Sequence, residues 1–309
     1  MKISVFLFCF CSCVSSVFSG EKVLIFTYSY NRPDFIEIQE KTFKKFLKED
    51  YEFVVFNDAT TDSSYNEIHE TCKSLNLRCI DIPQEIHSRP YLQRFRGENL
   101  NHPAVRNANV VQYSLDVLGF QHDGILALFD SDLFLVKDFS IVNYMNGSAI
   151  AGIPQLKKAK GREIEYLWIG MVFCDLTKMP DRETLSFNCG LINDVPVDAG
   201  GFSYFYLHNH PELSVKRIHH ALRSPFEWCK DCEAANITPC LHNTNLLMQV
   251  GCTEAQIAFI HSGPMSCEFF ERTTFFHYRG GTNWDNQTKE FHNRKTDLLN
   301  TYIESILSL

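Results

Sequence analysis

From residue 22 to about residue 140, short apolar runs alternate with longer segments of helical period. Val23-Leu24-Ile25-Phe26-Thr27-Tyr28 carries no charge, the pattern of a strand buried on both faces. Asn31-Arg32-Pro33-Asp34 then opens a helix whose inner side holds Phe35, Ile36, Phe43, Phe46 and Leu47. Phe53-Val54-Val55-Phe56 predicts a second strand ending at Asn57-Asp58, and Ser64-x-x-Glu67 reads as a capping box for the next helix. Leu77 to Ile82 predicts a third strand, and His102 to Leu118 a helix with Pro103 in its first turn. Ile125 to Phe129 predicts a fourth buried strand, with Asp130-Ser131-Asp132 at its carboxyl end.

Repeated β-α-β units imply an α/β fold with a Rossmann-like, mostly parallel sheet flanked by helices. Ligands of such sheets bind beyond the carboxyl ends of the strands. Tyr28, Asn31, Arg32, Asn57, Asp58, Asp130 and Asp132 all fall there. After residue 140 the pattern is less regular. Trp168 to Phe173 predicts a strand, and Asp198-Ala199-Gly200-Gly201-Phe202 a tight turn. Leu213 to Cys252, rich in His, Cys and Asn, reads as an inserted loop region. Leu298, Leu299, Tyr302, Ile303, Ile306 and Leu307 recur at helical spacing, as in a docking helix.

Composition narrows the class. The chain has 309 residues, 45% hydrophobic, enough for one large domain or a domain with a subdomain. A formal charge of -8, with no basic run interleaved with aromatics, argues against a nucleic-acid partner. Lys2 followed by an apolar run from Ile3 to Phe18 has the form of a secretory signal peptide, or of an uncleaved N-terminal membrane anchor. Export permits disulfides, and Cys229, Cys232, Cys240 and Cys252 are placed to staple a loop. Cys229 and Cys232 with His219, His220 and His242 also resemble half a zinc site, but the second knuckle is missing, which favours disulfides. Three glycosylation triplets, at Asn146, Asn236 and Asn286, are near chance in so Asn-rich a chain.

The candidate chemistry centres on Asp130 and Asp132. Two carboxylates among apolar neighbours at a strand mouth are costly to keep ionised unless a cation neutralises them. Hard divalent ions such as Mg²⁺ and Mn²⁺ take such ligands together with substrate phosphates. A pair of surface turn aspartates is the bland alternative, and the apolar flanks disfavour it.

Asp130-Ser131-Asp132 after Ile125–Phe129 resembles the DxD motif of GT-A type glycosyltransferases, which move a sugar from a nucleotide diphosphate to an acceptor. The stretch from Leu24 to Pro33 resembles their nucleotide-contacting first strand and loop, with Thr27, Tyr28 and Arg32 in it. Phe56-Asn57-Asp58-Ala59-Thr60-Thr61-Asp62 is similar to the second-strand motif, whose Asp, here Asp58, contacts the base. Arg106-Asn107-Ala108 resembles the Arg-Asn-Ala of the helix before the metal motif. The resemblance covers about residues 22–140 and implies a GT-A type sheet, a nucleotide-binding half over about 21–140 and an acceptor-side half over 141–309, following a leader at 1–20.

Phe276-His277-Tyr278-Arg279-Gly280-Gly281-Thr282-Asn283-Trp284 resembles the family's closing segment, although no Lys-Pro precedes Trp284. This implies His277 as the third metal ligand, and Gly280 and Gly281 as backbone that meets phosphate oxygens. Asp198, on its Asp-x-Gly-Gly turn, is the candidate catalytic residue: general base in an inverting enzyme, or a positioning or oxocarbenium-stabilising group in a retaining one. An Asx-type turn without catalysis is the alternative. Trp168, Gly200 and Gly201 are the candidate acceptor residues. The implied partners are Mn²⁺ or Mg²⁺, a nucleotide-sugar donor (a UDP-sugar favoured) and a saccharide, protein or lipid acceptor, in the secretory lumen or outside the cell. A nucleotidyltransferase, which would need an early Gly-rich phosphate loop absent here, and an inactive carbohydrate-binding protein are the competing functions. A phosphatase using Asp130 as nucleophile is disfavoured by Leu133-Phe134 after the motif.

Overall fold

A computed structural model describes residues 22–88, 103–159, 161–225, 244–249, 251–261, 266–281 and 288–308. In chain order they form β1 (Val23–Ser29), α1 (Pro33–Phe46), β2 (Tyr51–Asn57), α2 (Asp62–Leu75), β3 (Arg78–Asp81), α3 (Glu85–Ser88), α4 (Pro103–Val117), β4 (Ile125–Phe129) and β5 (Leu133–Leu135). Next come α5 (Ile141–Met145), β6 (Ile150–Ala159), β7 (Arg162–Asp175), β8 (Gly190–Ile192), β9 (Val195–Val197), α6 (Ser203–Asn209), β10 (Val215–Arg217) and β11 (His220–Pro225). The last are α7 (Thr244–Gln249), α8 (Glu254–His261), β12 (Ser266–Phe270), β13 (Phe275–His277) and α9 (Lys289–Leu307).

The apolar runs become the middle of a seven-stranded sheet ordered β10-β6-β7-β4-β1-β2-β3. Every pairing is parallel except the two made by β7 with β4 and β6. The mostly parallel α/β architecture expected from the pattern is therefore present. All seven residues of β1 are buried, as a strand covered on both faces requires. One face packs under α4 through Phe26, Phe56, Val111, Leu115 and Leu128. The other packs under α1 through Ile25, Phe35, Phe43, Val55 and Phe129.

A second sheet, β11-β12-β13-β5, is wholly antiparallel. It continues the α1-side core: Phe275 faces Phe139 and Phe129, while Phe276, pointing the opposite way, meets Phe259 of α8 and Tyr302 of α9. The C-terminal helix thus docks on this sheet, over a longer span than its apolar stripe indicates.

Several local expectations need correction. The helix after β2 is capped by Thr61, whose hydroxyl accepts from the Ser64 N–H, so Ser64 lies inside the first turn rather than at its start. The loop region expected from Leu213 contains β10, β11 and α7. Cys252 is a buried free thiol and not a staple; burial pushes it up to about 11. Cys229, Cys232, Cys240, His242, Trp284, the leader at 1–20 and the triplets at Asn236 and Asn286 lie outside the described residues. Among the described residues, no helix is long and apolar enough to cross a membrane.

Candidate metal centre

The two sheets meet at the turn between β4 and β5. The Asp130 N–H donates to the Gly170 carbonyl of β7 at 2.8 Å, and the Asp130 carbonyl accepts from Leu133 N–H at 3.1 Å. Gln39 of α1 pins this turn, its Nε2 donating to the carbonyls of Asp130 and Leu133 at 2.9 and 3.0 Å. Chain direction then reverses into β5, where Leu133 pairs in register with His277 of β13. That pairing carries a residue far away in sequence to the mouth of β4.

His277 Nε2 lies 3.3 Å from Asp132 Oδ1, and one ligand atom each from Asp130, Asp132 and His277 lies within 4.8 Å of the others. The third expected metal residue is thus beside the first two. Its Nδ1 lies 3.0 Å from Oε2 of Glu268, the residue directly opposite it on β12. Arg279 Nε and His220 Nε2 stand 3.5 and 4.0 Å from Glu268 Oε1. Asp132 is held from the other side: its Oδ2 accepts from Gly281 N–H at 2.9 Å and its carbonyl from Tyr278 N–H at 2.8 Å.

The electrostatics follow from that crowding. Burial, then the neighbouring Asp132, push Asp130 up to about 7. Burial also opposes ionisation of Asp132, but His277 and the Gly281 N–H outweigh it and hold this carboxyl below its usual range. Glu268 is held at about 2 against its burial, chiefly by His277. Burial works against the imidazolium, yet Asp132 and Glu268 on its two nitrogens raise His277 to about 10. A neutral ring has one N–H and would leave a lone pair facing a carboxylate. A cation at Nε2 resolves that conflict, with Nδ1–H still donating to Glu268. Two carboxylates and an imidazole form an oxygen-rich donor set that fits Mn²⁺ or Mg²⁺. Glu268 has no motif in the sequence; only its register opposite His277 reveals it.

The other expected residues divide. Trp168 is close to the centre, its ring 5.0 Å from that of His277. Arg32 reaches the closing segment, Nη1 donating to the Gly281 carbonyl at 2.6 Å, while Nε and Nη2 hold Asp34. The Gly281 backbone is therefore engaged on both sides, its N–H by Asp132 and its carbonyl by Arg32. A Cβ there would stand 2.7–2.9 Å from the Tyr278 and Phe35 rings. Gly280, at φ +67°, has open space beside it. Thr27 is fully buried, and Tyr28 is buried against Phe56 with its hydroxyl 3.0 Å from Ser114 Oγ, so neither side chain faces the crevice.

Asp58 is the hub of a separate cluster. Arg106 donates to both of its carboxylate oxygens, Nε to Oδ2 at 2.7 Å and Nη2 to Oδ1 at 2.6 Å. His87 Nε2 and Gln84 Nε2 approach the same Oδ1 at 2.9 and 3.2 Å. Arg106 also lies over the Tyr30 ring, 5.0 Å from its centroid. The exposed carboxylate of Asp198 accepts from Ala199 N–H at 2.8 Å, one residue on, whereas the Gly200 N–H that an Asx turn would use donates to the Phe187 carbonyl at 2.7 Å. Gly200, at φ +93°, places its Cα against the Leu167 carbonyl, where a Cβ would come within 2.0 Å. Leu167 and Ile169 belong to the α4-side core and Trp168 to the α1-side core, so the Asp198–Gly201 turn packs on the face of β7 away from Trp168.

No protein-family model matches this chain, and none of the curated proteins matches it. Among solved structures it is similar to the bifunctional glycosyltransferase WbbM, with 9% identity, 53% of this chain and 33% of that one covered, and a TM-score of 0.35. It is similar to glucosyl-3-phosphoglycerate synthase from Mycobacterium tuberculosis, solved with Mn²⁺, UDP and glucosyl-3-phosphoglycerate, with 12% identity, 64% and 69% coverage and a TM-score of 0.36. It is also similar to the glycosyltransferase GlyE of Streptococcus pneumoniae, with 11% identity, 93% and 62% coverage and a TM-score of 0.39. The chain thus spans about a third of WbbM and about two thirds of the others. The likeness is a distant one of fold, and no residue role follows from it.

Proposed function

We propose that this chain is a metal-dependent glycosyltransferase that moves a sugar from a nucleotide diphosphate, a UDP-sugar favoured, to a saccharide, protein or lipid acceptor. The observation that carries the reading is the meeting of Asp130, Asp132 and His277 at one strand mouth. The order of the motifs along residues 22–140 supports it. So does Glu268, which fixes the imidazole with Nε2 turned toward the carboxylates.

Asp130, Asp132 and His277 would hold Mn²⁺ or Mg²⁺, which when bound neutralises charge on the diphosphate as the glycosidic bond breaks. Arg279, partly exposed beside Glu268, supplies further positive charge next to that centre. Trp168 offers a ring face beside His277 for a sugar. Asp58, just beyond β2 and two strands from β4, and Arg106 of α4 orient the nucleotide. Asp198, whose turn packs on the other face of β7, would reach past that strand to act on the acceptor hydroxyl or on the developing positive charge at the sugar. The apolar leader supports placement in the secretory lumen or outside the cell.

The test is release of nucleoside diphosphate from a panel of UDP- and GDP-sugars, with Mn²⁺ or with EDTA. Metal-dependent release that is lost in Asp132→Asn is expected. Pyrophosphate release from a nucleoside triphosphate would instead identify a nucleotidyltransferase. Saccharide binding without turnover of any donor would identify a carbohydrate-binding protein.

A further inference from the structure

At the opposite edge of the main sheet, α2 and β3 bring together side chains that the reading above does not use. Tyr65, His69 and Cys72 recur at spacings of four and three, which aligns them along one face of α2. Cys79 and Asp81 are alternate residues of the edge strand β3 and share one face of it. The two faces meet. His69 Nε2 lies 2.8 Å from Asp81 Oδ1, and Cys72 belongs to the buried core against which Cys79 packs. One donor atom each from His69, Cys79 and Asp81 lies within 4.8 Å of the other two.

We propose that His69 Nε2, Cys79 Sγ and the Asp81 carboxylate bind a single zinc-like divalent ion, with water in the fourth position. Around a tetrahedral ion with ordinary Zn–N, Zn–O and Zn–S lengths, donor atoms stand roughly 3.3–3.6 Å apart, so modest side-chain adjustments close the site. The donor set also selects the ion. An imidazole and a thiolate suit zinc, whereas Mn²⁺ and Mg²⁺ prefer the oxygen-rich centre at Asp130 and Asp132.

Supporting groups are already in place around the ligands. Tyr65 Oη donates to Asp81 Oδ2 at 2.6 Å, and Asn57 Nδ2 to Oδ1 at 3.3 Å, which aims the carboxylate. The Cys72 side chain is buried beneath them. His69 and Asp81 are 37% and 45% exposed, so an ion and its water reach them directly. A purely hydrogen-bonded surface cluster accounts for Tyr65, His69 and Asp81, but gives no reason for a sulfur at the same point. The ion would clamp α2 to the sheet edge without entering the transfer reaction.

Cobalt(II) tests this on the reduced, EDTA-treated full chain, because a thiolate ligand gives an intense near-ultraviolet sulfur-to-cobalt absorption that a carboxylate–imidazole site does not. The absorption should saturate by two equivalents in the unaltered chain, whose other centre also takes up cobalt, and should disappear in Cys79→Ser. It should need about tenfold more cobalt in His69→Ala, whose exposed side chain can be removed without opening the core. It should persist in Asp132→Asn and His277→Ala, which separates this site from the proposed transferase centre. Zn²⁺ should also protect Cys79, and not the other thiols, from alkylation read peptide by peptide. Absence of the absorption, its survival in Cys79→Ser, or a Cys72–Cys79 disulfide in protein that takes up no metal would overturn the proposal.

Discussion

Stripping divalent ions from the chain and titrating Mn²⁺ back at fixed pH should expel a proton from His277. In the ion-free protein the imidazolium is flanked by Asp132 and Glu268 and pushed up to about 10. Coordination needs the Nε2 lone pair, while Nδ1–H stays with Glu268, so about one proton leaves per ion at pH 8. At pH 7 Asp130, itself pushed up to about 7, adds about half a proton more. Two pH units below the imidazole midpoint, displacing that proton costs about 2.7 kcal/mol, or about 100-fold in affinity. The sign follows from competition: ion and proton seek the same lone pairs, so binding tightens as pH rises. The tightening should be about tenfold per unit between pH 8 and 10, steeper below 7, and absent above 10. Calorimetry in buffers of different ionisation enthalpy counts the protons directly. His277→Ala should abolish the release at pH 8. Zero release by the unaltered chain at pH 8, with affinity flat from pH 8 to 9, would show that Nε2 is not a ligand.

Three further outcomes test the surroundings of that centre. Glu268→Ala should weaken Mn²⁺ binding about 10–100-fold and lower the imidazole midpoint seen by NMR; unchanged affinity would reduce Glu268 to a packing neighbour. Gly281→Ala should cost about 1–3 kcal/mol, because the new methyl must displace the Phe35 and Tyr278 rings; a melting temperature equal to that of the parent would refute the close packing. Asp198→Asn preserves the turn, so thermal stability should hold while sugar transfer falls about 10²–10⁴-fold; a normal rate would assign Asp198 to the turn alone.

The α/β framework was legible because burial on both faces of a parallel sheet writes continuous apolar runs into the chain. Ile125–Phe129 was located to the residue, and β1 to within one. The cap of α2 was misplaced because Ser64-x-x-Glu67 imitates a capping box one turn inside the helix that Thr61 begins. The second sheet was largely invisible. Its strands β5 and β13 have three residues each, too few for a period of two to register, and their pairing joins segments about 140 residues apart. Glu268 escaped for the same reason: its partner is set by register, which no local pattern records. The cluster around Asp58 was legible only in part, since Arg106 is marked by Arg-Asn-Ala but His87 and Gln84 carry no signal.

Gly281 shows why motifs from the first half alone do not build the site. Its N–H donates to Asp132 and its carbonyl accepts from Arg32, so one residue of the closing segment joins the metal turn to the loop after β1. Arg32, which the first-strand motif presents as a nucleotide contact, is 5% exposed, with its guanidinium shared between Gly281 and Asp34 and stacked 3.6 Å from the Phe35 ring centroid. A side chain committed in this way sets the position of the closing segment. That segment in turn holds Asp132 ionised beside His277. The charge state of the candidate metal centre therefore depends on an arginine about 100 residues before it and a glycine about 150 residues after it. A change at Arg32 would reach the ion through Gly281 and Asp132 without touching any ligand.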